Sequence, residues 1–227
     1  MNKIFKVIWS KSKQCYIVVS EIAKNKTGKK KIVVASILAA LTMTANIVTV
    51  EGAIPEGTRT DHLGLAIGTS SNSKSNQSVA IGYASSAEAP GANPENPATA
   101  VGAGANANGA GTVALGLSAN ATGTNAVALG GGSNGGTNKT EATAANATAI
   151  GFNAKASKSG AAAIGSGAKA SGSDSISFGT DTVADSEKAI AIGAGSKATN
   201  IGATALGRSS AATAASATAV GSLATVN

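Results

Sequence analysis

From residue 64 to its end, the sequence repeats one short pattern: a hydrophobic residue or threonine, a small residue, a large apolar residue and then glycine. Eight of the ten intervals between the pattern's glycines are 14 residues long, and the other two, after Gly82 and Gly130, are 20 and 21 residues. Such a fixed short period is the signature of a solenoid, and it argues against a disordered low-complexity chain. The repeat glycines are Gly68, Gly82, Gly102, Gly116, Gly130, Gly151, Gly165, Gly179, Gly193, Gly207 and Gly221.

The spacing of the apolar residues within one repeat predicts β-strands. Fourteen residues are too few for two helices, and glycine and threonine are poor helix formers. Large residues two apart, such as Ile190 and Ile192, share one face of a strand. A second alternation of alanine or serine follows each glycine, as at Ala168 and Ala170. Each coil is therefore predicted to contain two short strands, joined by turns for which glycine supplies the backbone, and coils are predicted to stack with parallel strands.

Two strands per coil give a flat roll with a narrow interior, so we expect only one of its walls to carry large side chains. The small residue of the pattern, alanine in ten of the eleven copies and Ser177 in the other, then points outward, where another chain can approach closely. An alanine-rich wall also buries little apolar area, which favours self-association. The predicted roll core is Ile67, Ile81, Val101, Leu115, Leu129, Ile150, Ile164, Phe178, Ile192, Leu206 and Val220.

Residues 64–227 resemble the head of YadA-like trimeric autotransporter adhesins, whose 14-residue repeat reads SVAIG followed by an alternating alanine pattern. The resemblance implies an all-β, left-handed parallel β-roll of about eleven 14-residue coils. It also implies that three chains pack as a homotrimer about a threefold axis. At about 4.8 Å per coil, the roll is expected to be about 50 Å tall.

The positive charge is concentrated in a leader. Residues 1–53 contain nine lysines and two glutamates, whereas residues 54–227 contain equal numbers of basic and acidic groups. The repeats therefore lack the basic patch that nucleic-acid binding requires. Lys29–Lys31 precede an apolar stretch at 32–50, which is typical of a secretory signal, and its polar residues disfavour the alternative of an uncleaved membrane anchor.

The beginning of the leader is longer than an ordinary signal requires. Met1-Asn2-Lys3, Val7-Ile8-Trp9 and Val18-Val19-Ser20-Glu21 resemble the extended signal peptide region of large Gram-negative autotransporters. We expect residues 1–53 to be a helical extended signal peptide and 54–63 a linker or N-terminal cap. The single cysteine, Cys15, lies in this leader, so disulfide stapling and thiol catalysis are excluded for the repeats.

The two long intervals predict loops near 84–98 and 131–146. The first contains Pro90, Pro94 and Pro97, which cannot donate ladder hydrogen bonds, and the second is rich in glycine and asparagine. Loops on a rigid repeat scaffold are frequent binding sites. Tolerated variation in length is the alternative interpretation, and the sequence assigns no ligand-binding residue.

The sequence predicts no enzyme, no cofactor and no metal site. Gly130, Gly132 and Gly135 match a dinucleotide-binding spacing, but no helix pattern follows them. The lone His62 lies before the first coil and cannot build a zinc site without further ligands. An acidic group is predicted to be a solvated surface rather than a calcium site: Asp174, Asp181, Asp185 and Glu187.

The favoured function is a non-enzymatic adhesin head that attaches to host matrix, to host cells or to other bacteria. The resemblance implies matrix proteins such as collagen as partners of some family members. A hexapeptide-repeat acyltransferase is disfavoured, because its coils have 18 residues and a histidine within the repeats. An ice-binding or purely structural solenoid is disfavoured because Thr122, Thr143, Thr199 and Thr213 are interpreted as lying out of register with one another.

The family resemblance implies export across the inner membrane and display at the outer membrane of a Gram-negative bacterium. Members of the family continue into a neck, a coiled-coil stalk and a membrane anchor. No heptad pattern is present up to residue 227, so the chain is expected to be a truncated product. Such a product would be secreted or periplasmic.

Overall fold

The computed structural model describes residues 5–10, 15–20, 58–59, 64–89, 96–133 and 137–227. The chain divides into two compact units, Met1–Thr49 and Val50–Asn227. In the first unit, β1 (Phe5–Ser10) pairs antiparallel with β2 (Cys15–Ser20). The prediction of a helical leader is wrong for these two segments. The remainder of the predicted signal peptide, and His62, lie outside the described residues.

The second unit contains two sets of very short strands that alternate along the chain. Between residues 58 and 227 the described strands are β3 (Thr58–Arg59), β4 (Leu65–Ile67), β5 (Asn72–Ser73), β6 (Val79–Ile81), β7 (Ser86–Ala87), β8 (Thr99–Val101), β9 (Asn106–Ala107), β10 (Val113–Leu115), β11 (Asn120–Ala121), β12 (Val127–Leu129), β13 (Glu141–Ala142), β14 (Thr148–Ile150), β15 (Lys155–Ala156), β16 (Ala162–Ile164), β17 (Lys169–Ala170), β18 (Ile176–Phe178), β19 (Val183–Ala184), β20 (Ile190–Ile192), β21 (Lys197–Ala198), β22 (Thr204–Leu206), β23 (Ala211–Ala212), β24 (Thr218–Val220) and β25 (Thr225–Val226).

These strands form a parallel β-solenoid, which confirms the predicted all-β roll of about eleven coils. The eleven three-residue strands, from β4 to β24, stack in chain order in one sheet, and the twelve two-residue strands, from β3 to β25, stack in a second. Neighbouring strands in both sheets are parallel, as between β10 and β12 and between β11 and β9. Over the described part of the chain, no helix has the length and apolar character needed to cross a membrane.

Strand pairing keeps one register through the whole roll. Ala114 lies opposite Ala128, one 14-residue period away. The register also survives both long intervals, because Ala80 lies opposite Ala100 and Leu129 opposite Ile150. Each position of a coil therefore forms a column, and we number these positions from 1, the first residue of the three-residue strand, without counting inserted residues. In the coil 113–126, the repeat glycine is position 4, β11 occupies positions 8 and 9, and Ala126 is position 14.

The core is lined by the small residues, at positions 2, 7, 9 and 14. Its members are almost all alanines with no exposed surface, and the largest fully buried side chains among the described residues are those of Thr112, Thr140 and Thr182. Most serine and threonine hydroxyls at inward positions are hydrogen-bonded, as where Thr112 Oγ1 donates to Gly109 O at 2.7 Å, but the buried Ser196 Oγ has no partner. The interior is therefore thin, and its few polar side chains mostly find partners within it.

The predicted roll core is wrong about which face of the first strand points inward. The large residues at position 3 are half-buried or exposed on the outer side, and Phe178 is 51% exposed. The alanines expected to face outward are the buried ones. The reason is interior width: Ser177 Oγ donates to Thr182 Oγ1 at 2.7 Å across the core, so one serine and one threonine span it. The side chains that lie outside are Ile67, Ile81, Val101, Leu115, Leu129, Ile150, Ile164, Phe178, Ile192, Leu206 and Val220.

The repeat glycines form a column in which backbone approaches backbone. All eleven have φ between 113° and 149°, a region that residues with a Cβ rarely adopt. A Cβ built on Gly82 would lie 2.6 Å from the carbonyl oxygen of Gly102 in the next coil. Positions 6 and 13 are also left-handed, but they accept side chains: Ala84 has φ 52° and Asp174 has φ 53°.

Candidate interaction surfaces

The outer side of the three-residue strands is a continuous apolar surface. We call the residues at positions 1 and 3 the apolar face. The face has 22 side chains, and none of them is charged. Position 3 holds the eleven large residues that the sequence had predicted to form the core. Position 1 holds Leu65, Val79, Thr99, Val113, Val127, Thr148, Ala162, Ile176, Ile190, Thr204 and Thr218. Eleven coils of three-residue strands make a surface on the order of 500 Å², which is large for an apolar patch that a soluble monomer exposes.

The outer side of the two-residue strands has the opposite character. We call positions 8 and 10 the polar face. Ion pairs join neighbouring coils there, between Lys74 Nζ and Glu88 Oε2 at 2.8 Å and between Lys169 Nζ and Asp185 Oδ1 at 3.2 Å. Asn106 Nδ2 also donates to the Oδ1 of the next asparagine in its column at 2.8 Å. Such exposed pairs contribute little stability, about 0–1 kcal/mol each, so this side suits contact with water.

Four threonines that the sequence analysis interpreted as lying out of register share one column of the roll, so that interpretation is wrong. Their amides donate to equivalent carbonyl groups in the following coil, and all four occupy position 10: Thr122, Thr143, Thr199 and Thr213. The 21-residue interval conceals the alignment of Thr143 alone, because the other three each follow their repeat glycine by six residues. The adjacent column, position 8, includes charged side chains at Glu141, Lys155, Lys169 and Lys197. The threonines therefore form one column beside charges rather than a two-dimensional array of hydroxyl groups.

The two insertions emerge from opposite edges of the roll. We call positions 4–6 the glycine edge and positions 11–13 the far edge. The first insertion lies between β7 and β8 on the far edge, and the second lies between β12 and β13 on the glycine edge. The second loop is fixed at its base, where Ser133 N donates to Asn138 O at 3.0 Å and Thr140 Oγ1 donates to Gly151 O at 2.6 Å. Within one chain, a binding surface that uses both loops would have to span the roll.

The acidic residues singled out in the sequence are spread over three sides. Asp174 and Glu187 lie on the far edge, Asp181 on the glycine edge and Asp185 on the polar face. Asp185 pairs with Lys169, and Glu187 Oε1 lies 3.1 Å from Lys188 Nζ. The structure therefore does not bring these carboxylates together.

The glycines that match a dinucleotide-binding spacing are also only partly described. Gly130 and Gly132 follow β12 and precede a loop, while Gly135 lies outside the described residues. Gly132 N donates to Leu117 O in the preceding coil at 2.8 Å, so its amide is used in the coil stack.

The sequence signal that could have located the interacting surface was the charge pattern: charged residues occur at positions 8 and 10 and never at positions 1 or 3.

Comparison with known protein families identifies both parts of the chain. Residues 1–48 match the extended signal peptide of the type V secretion system, which indicates export and surface display as an autotransporter. Residues 63–92, 97–119, 107–133, 142–168, 170–196 and 198–224 match the YadA head domain repeat, over well more than half of the chain. A comparison with curated proteins found no match. The matched head family is a family of adhesins and not of enzymes. The chain therefore belongs to the YadA-like trimeric autotransporter adhesins, as a leader followed by head repeats.

Proposed function

We propose that this chain forms the head of a homotrimeric adhesin whose left-handed rolls pack through their apolar faces and present their polar faces outward. One observation carries this proposal: a roll about 50 Å tall has uncharged, mostly apolar residues along one whole side and charged residues on the other. Covering about 500 Å² per chain would contribute about 12 kcal/mol at 25 cal/mol per Å², before the entropic cost of association. This supports self-association through the aliphatic columns rather than through alanines.

Attachment is assigned to the outward surfaces, namely the polar face and the two insertion loops. The proposed ligand is an extracellular matrix protein such as collagen, or the surface of a host or bacterial cell. Three copies in one head and many heads on one cell would multiply weak contacts into firm attachment. The anchoring site of the assembled adhesin is the outer membrane. Residues 1–53 are assigned as the extended signal peptide, which the match at 1–48 supports, and residues 54–63 as a linker or cap.

Oligomeric state tests the first part of the proposal. Sedimentation equilibrium of the exported protein should give three times the chain mass. Replacing Ile164 and Ile192 together by lysine places two charges on the apolar face and should give monomers, because each charge would otherwise be desolvated. The matched control Lys169→Gln changes charge on the polar face and should leave the trimer intact. A monomeric native protein at micromolar concentration would contradict the proposal.

Loop deletion tests the second part. Removing residues 133–139 or residues 90–95 restores the 14-residue interval and keeps every described residue at positions 2, 7, 9 and 14. Both deletions should leave the circular dichroism spectrum and the oligomeric state unchanged. Binding of the native trimer and of each deletion to immobilised collagen, other matrix proteins and cell monolayers then shows which loop contributes. Native trimers that attach to none of these surfaces would refute the adhesive role of the head.

A further inference from the structure

Three large apolar side chains are exposed away from the apolar face in the coils before the last. Tyr83 is 66% exposed and Phe152 is 50% exposed, both at position 5 on the glycine edge. Ile201 is 59% exposed at position 12 on the far edge. The two aromatic residues each follow the end of a three-residue strand by two residues, so they lie at the rim of the apolar face. Their surface is thus continuous with the surface used in the proposed trimer.

A threefold ring brings different edges of neighbouring copies together. Interfaces in a closed ring are heterologous, which means that one patch of a subunit meets a different patch of the next. With the apolar faces directed at the axis, the glycine edge of one copy must therefore adjoin the far edge of the next. Neither edge can meet its own counterpart.

The sizes of the side chains on the two edges are complementary at the height of Phe152 and between Ile201 and Ala194. Phe152 lies just after β14, and the far-edge turns that precede β14 and β16 carry Ala145 and Ser159, which are both exposed. Ile201 on the far edge lies at the level of Ala194 on the glycine edge, and Ala194 is also exposed. Phe152 therefore lies between two small far-edge residues, whereas Ile201 lies between Ala194 and the exposed Arg208 of the next coil, and Tyr83 lies between Asn76 and Asn96.

We infer that neighbouring copies form a seam in which Phe152 of one chain packs on Ala145 and Ser159 of the next, and Ile201 packs on Ala194. The inference rests on the proposed trimer and adds to it the side chains that pack where the two edges meet. Packing at the seam removes the exposed apolar surface of Phe152 and Ile201 from water. The closed ring holds the copies at one height, so the same contacts recur at each of its three interfaces.

Disulfide cross-linking of the full chain tests the seam directly. In a Cys15→Ser background, the pairs Phe152→Cys with Ser159→Cys and Phe152→Cys with Ala145→Cys place thiols on opposite edges of one roll. Because a disulfide requires Cα atoms within about 7 Å, these pairs should join only neighbouring copies. Mild oxidation should give covalent dimers and trimers on denaturing gels, reversed by reductant. The matched control, Phe152→Cys with Ala215→Cys, separates the thiols along the axis by about 20 Å and should not cross-link.

The outcomes separate the seam from the trimer. Cross-linking by the two matched pairs alone supports the seam. Equal cross-linking by the Ala215 control, or by Phe152→Cys alone, would overturn it, as would a trimer by sedimentation in which neither matched pair reacts. A monomer by sedimentation would overturn the trimer and the seam together. As an independent readout, Phe152→Ser should weaken trimer association at least tenfold, and Phe152→Leu should restore most of it.

Discussion

Replacing a repeat glycine by alanine should lower the free energy of unfolding far more than replacing the glycine two residues after it. A Cβ on Gly193 would lie 2.6 Å from both the carbonyl carbon and oxygen of Gly207, whereas one on Gly195 would meet only Ser209 Oγ at 3.4 Å. Both glycines have positive φ, 113° and 70° respectively. The substitutions Gly193→Ala and Gly195→Ala therefore compare the same chemical change in one coil, with and without a backbone collision.

The size of the effect follows from these distances. A carbon–oxygen contact normally needs about 3.3 Å, so the two coils must separate locally by about 0.7 Å. That shift would stretch the bond that Gly207 N donates to Ile192 O from 2.8 Å to about 3.5 Å and lose about 1 kcal/mol. Backbone strain at this φ adds about 1–3 kcal/mol, for a total of about 2–4 kcal/mol. Gly195→Ala should cost about 1 kcal/mol, because position 6 already accepts alanine at Ala84.

Chemical unfolding followed by circular dichroism measures the difference between the two variants. Hydrogen exchange at the Gly207 amide reports the local opening, and its protection should fall in Gly193→Ala and persist in Gly195→Ala. Equal destabilisation by the two substitutions would refute the collision argument. A neutral Gly193→Ala would refute it as well, since coils that separate freely would not need glycine in this column.

Three further substitutions examine the core and the polar face. Ala163→Leu inserts a large side chain between walls that hold nothing larger than threonine, and unfolding experiments should show a loss of about 3 kcal/mol. Ser177→Ala leaves the bond from Thr182 Oγ1 to Gly179 O in place, so the melting temperature should change by only a few degrees; a large drop would give Ser177 a structural role of its own. Lys169→Ala removes one exposed ion pair and should cost under about 1 kcal/mol, an effect that 1 M salt should abolish.

The period and composition of the repeat were sufficient to predict the solenoid, its two strands per coil and their parallel register. They could not decide which side of the first strand is inside. Ala163 and Ile164 are neighbours in β16 and necessarily point to opposite sides, and both are apolar. In an isolated chain the larger residue would be expected inside. In this chain both sides are apolar, and only the interior width, bridged by Ser177 and Thr182, selects alanine.

The sequence located the insertions only coarsely, because the predicted loop ranges 84–98 and 131–146 also contain the strands β7 and β13, and it did not predict the relation between the two insertions. The intervals of 20 and 21 residues differ by one residue, and nothing in the composition shows that one precedes and the other follows a two-residue strand. Strand pairing across each interval reveals that they lie on opposite edges. The same missing register explains why Thr143 was misaligned, whereas the other position-10 threonines share one offset from their repeat glycines. A repeat that is interrupted must be aligned by its inward-facing residues rather than counted.

The repetition of alanine at the inward positions has a consequence for the height of the roll. Because Ala149, Ala163 and Ala191 present the same side chain to the coils above and below, any coil can stack on any other with nearly the same interior. Duplicating or deleting 14 residues would thus change the height of the roll by about 4.8 Å without creating a cavity or a clash. The height of the roll can therefore change in steps of one coil, while the character of its outer faces stays the same. A bacterium could in this way adjust how far an attachment surface stands from the cell independently of what that surface binds.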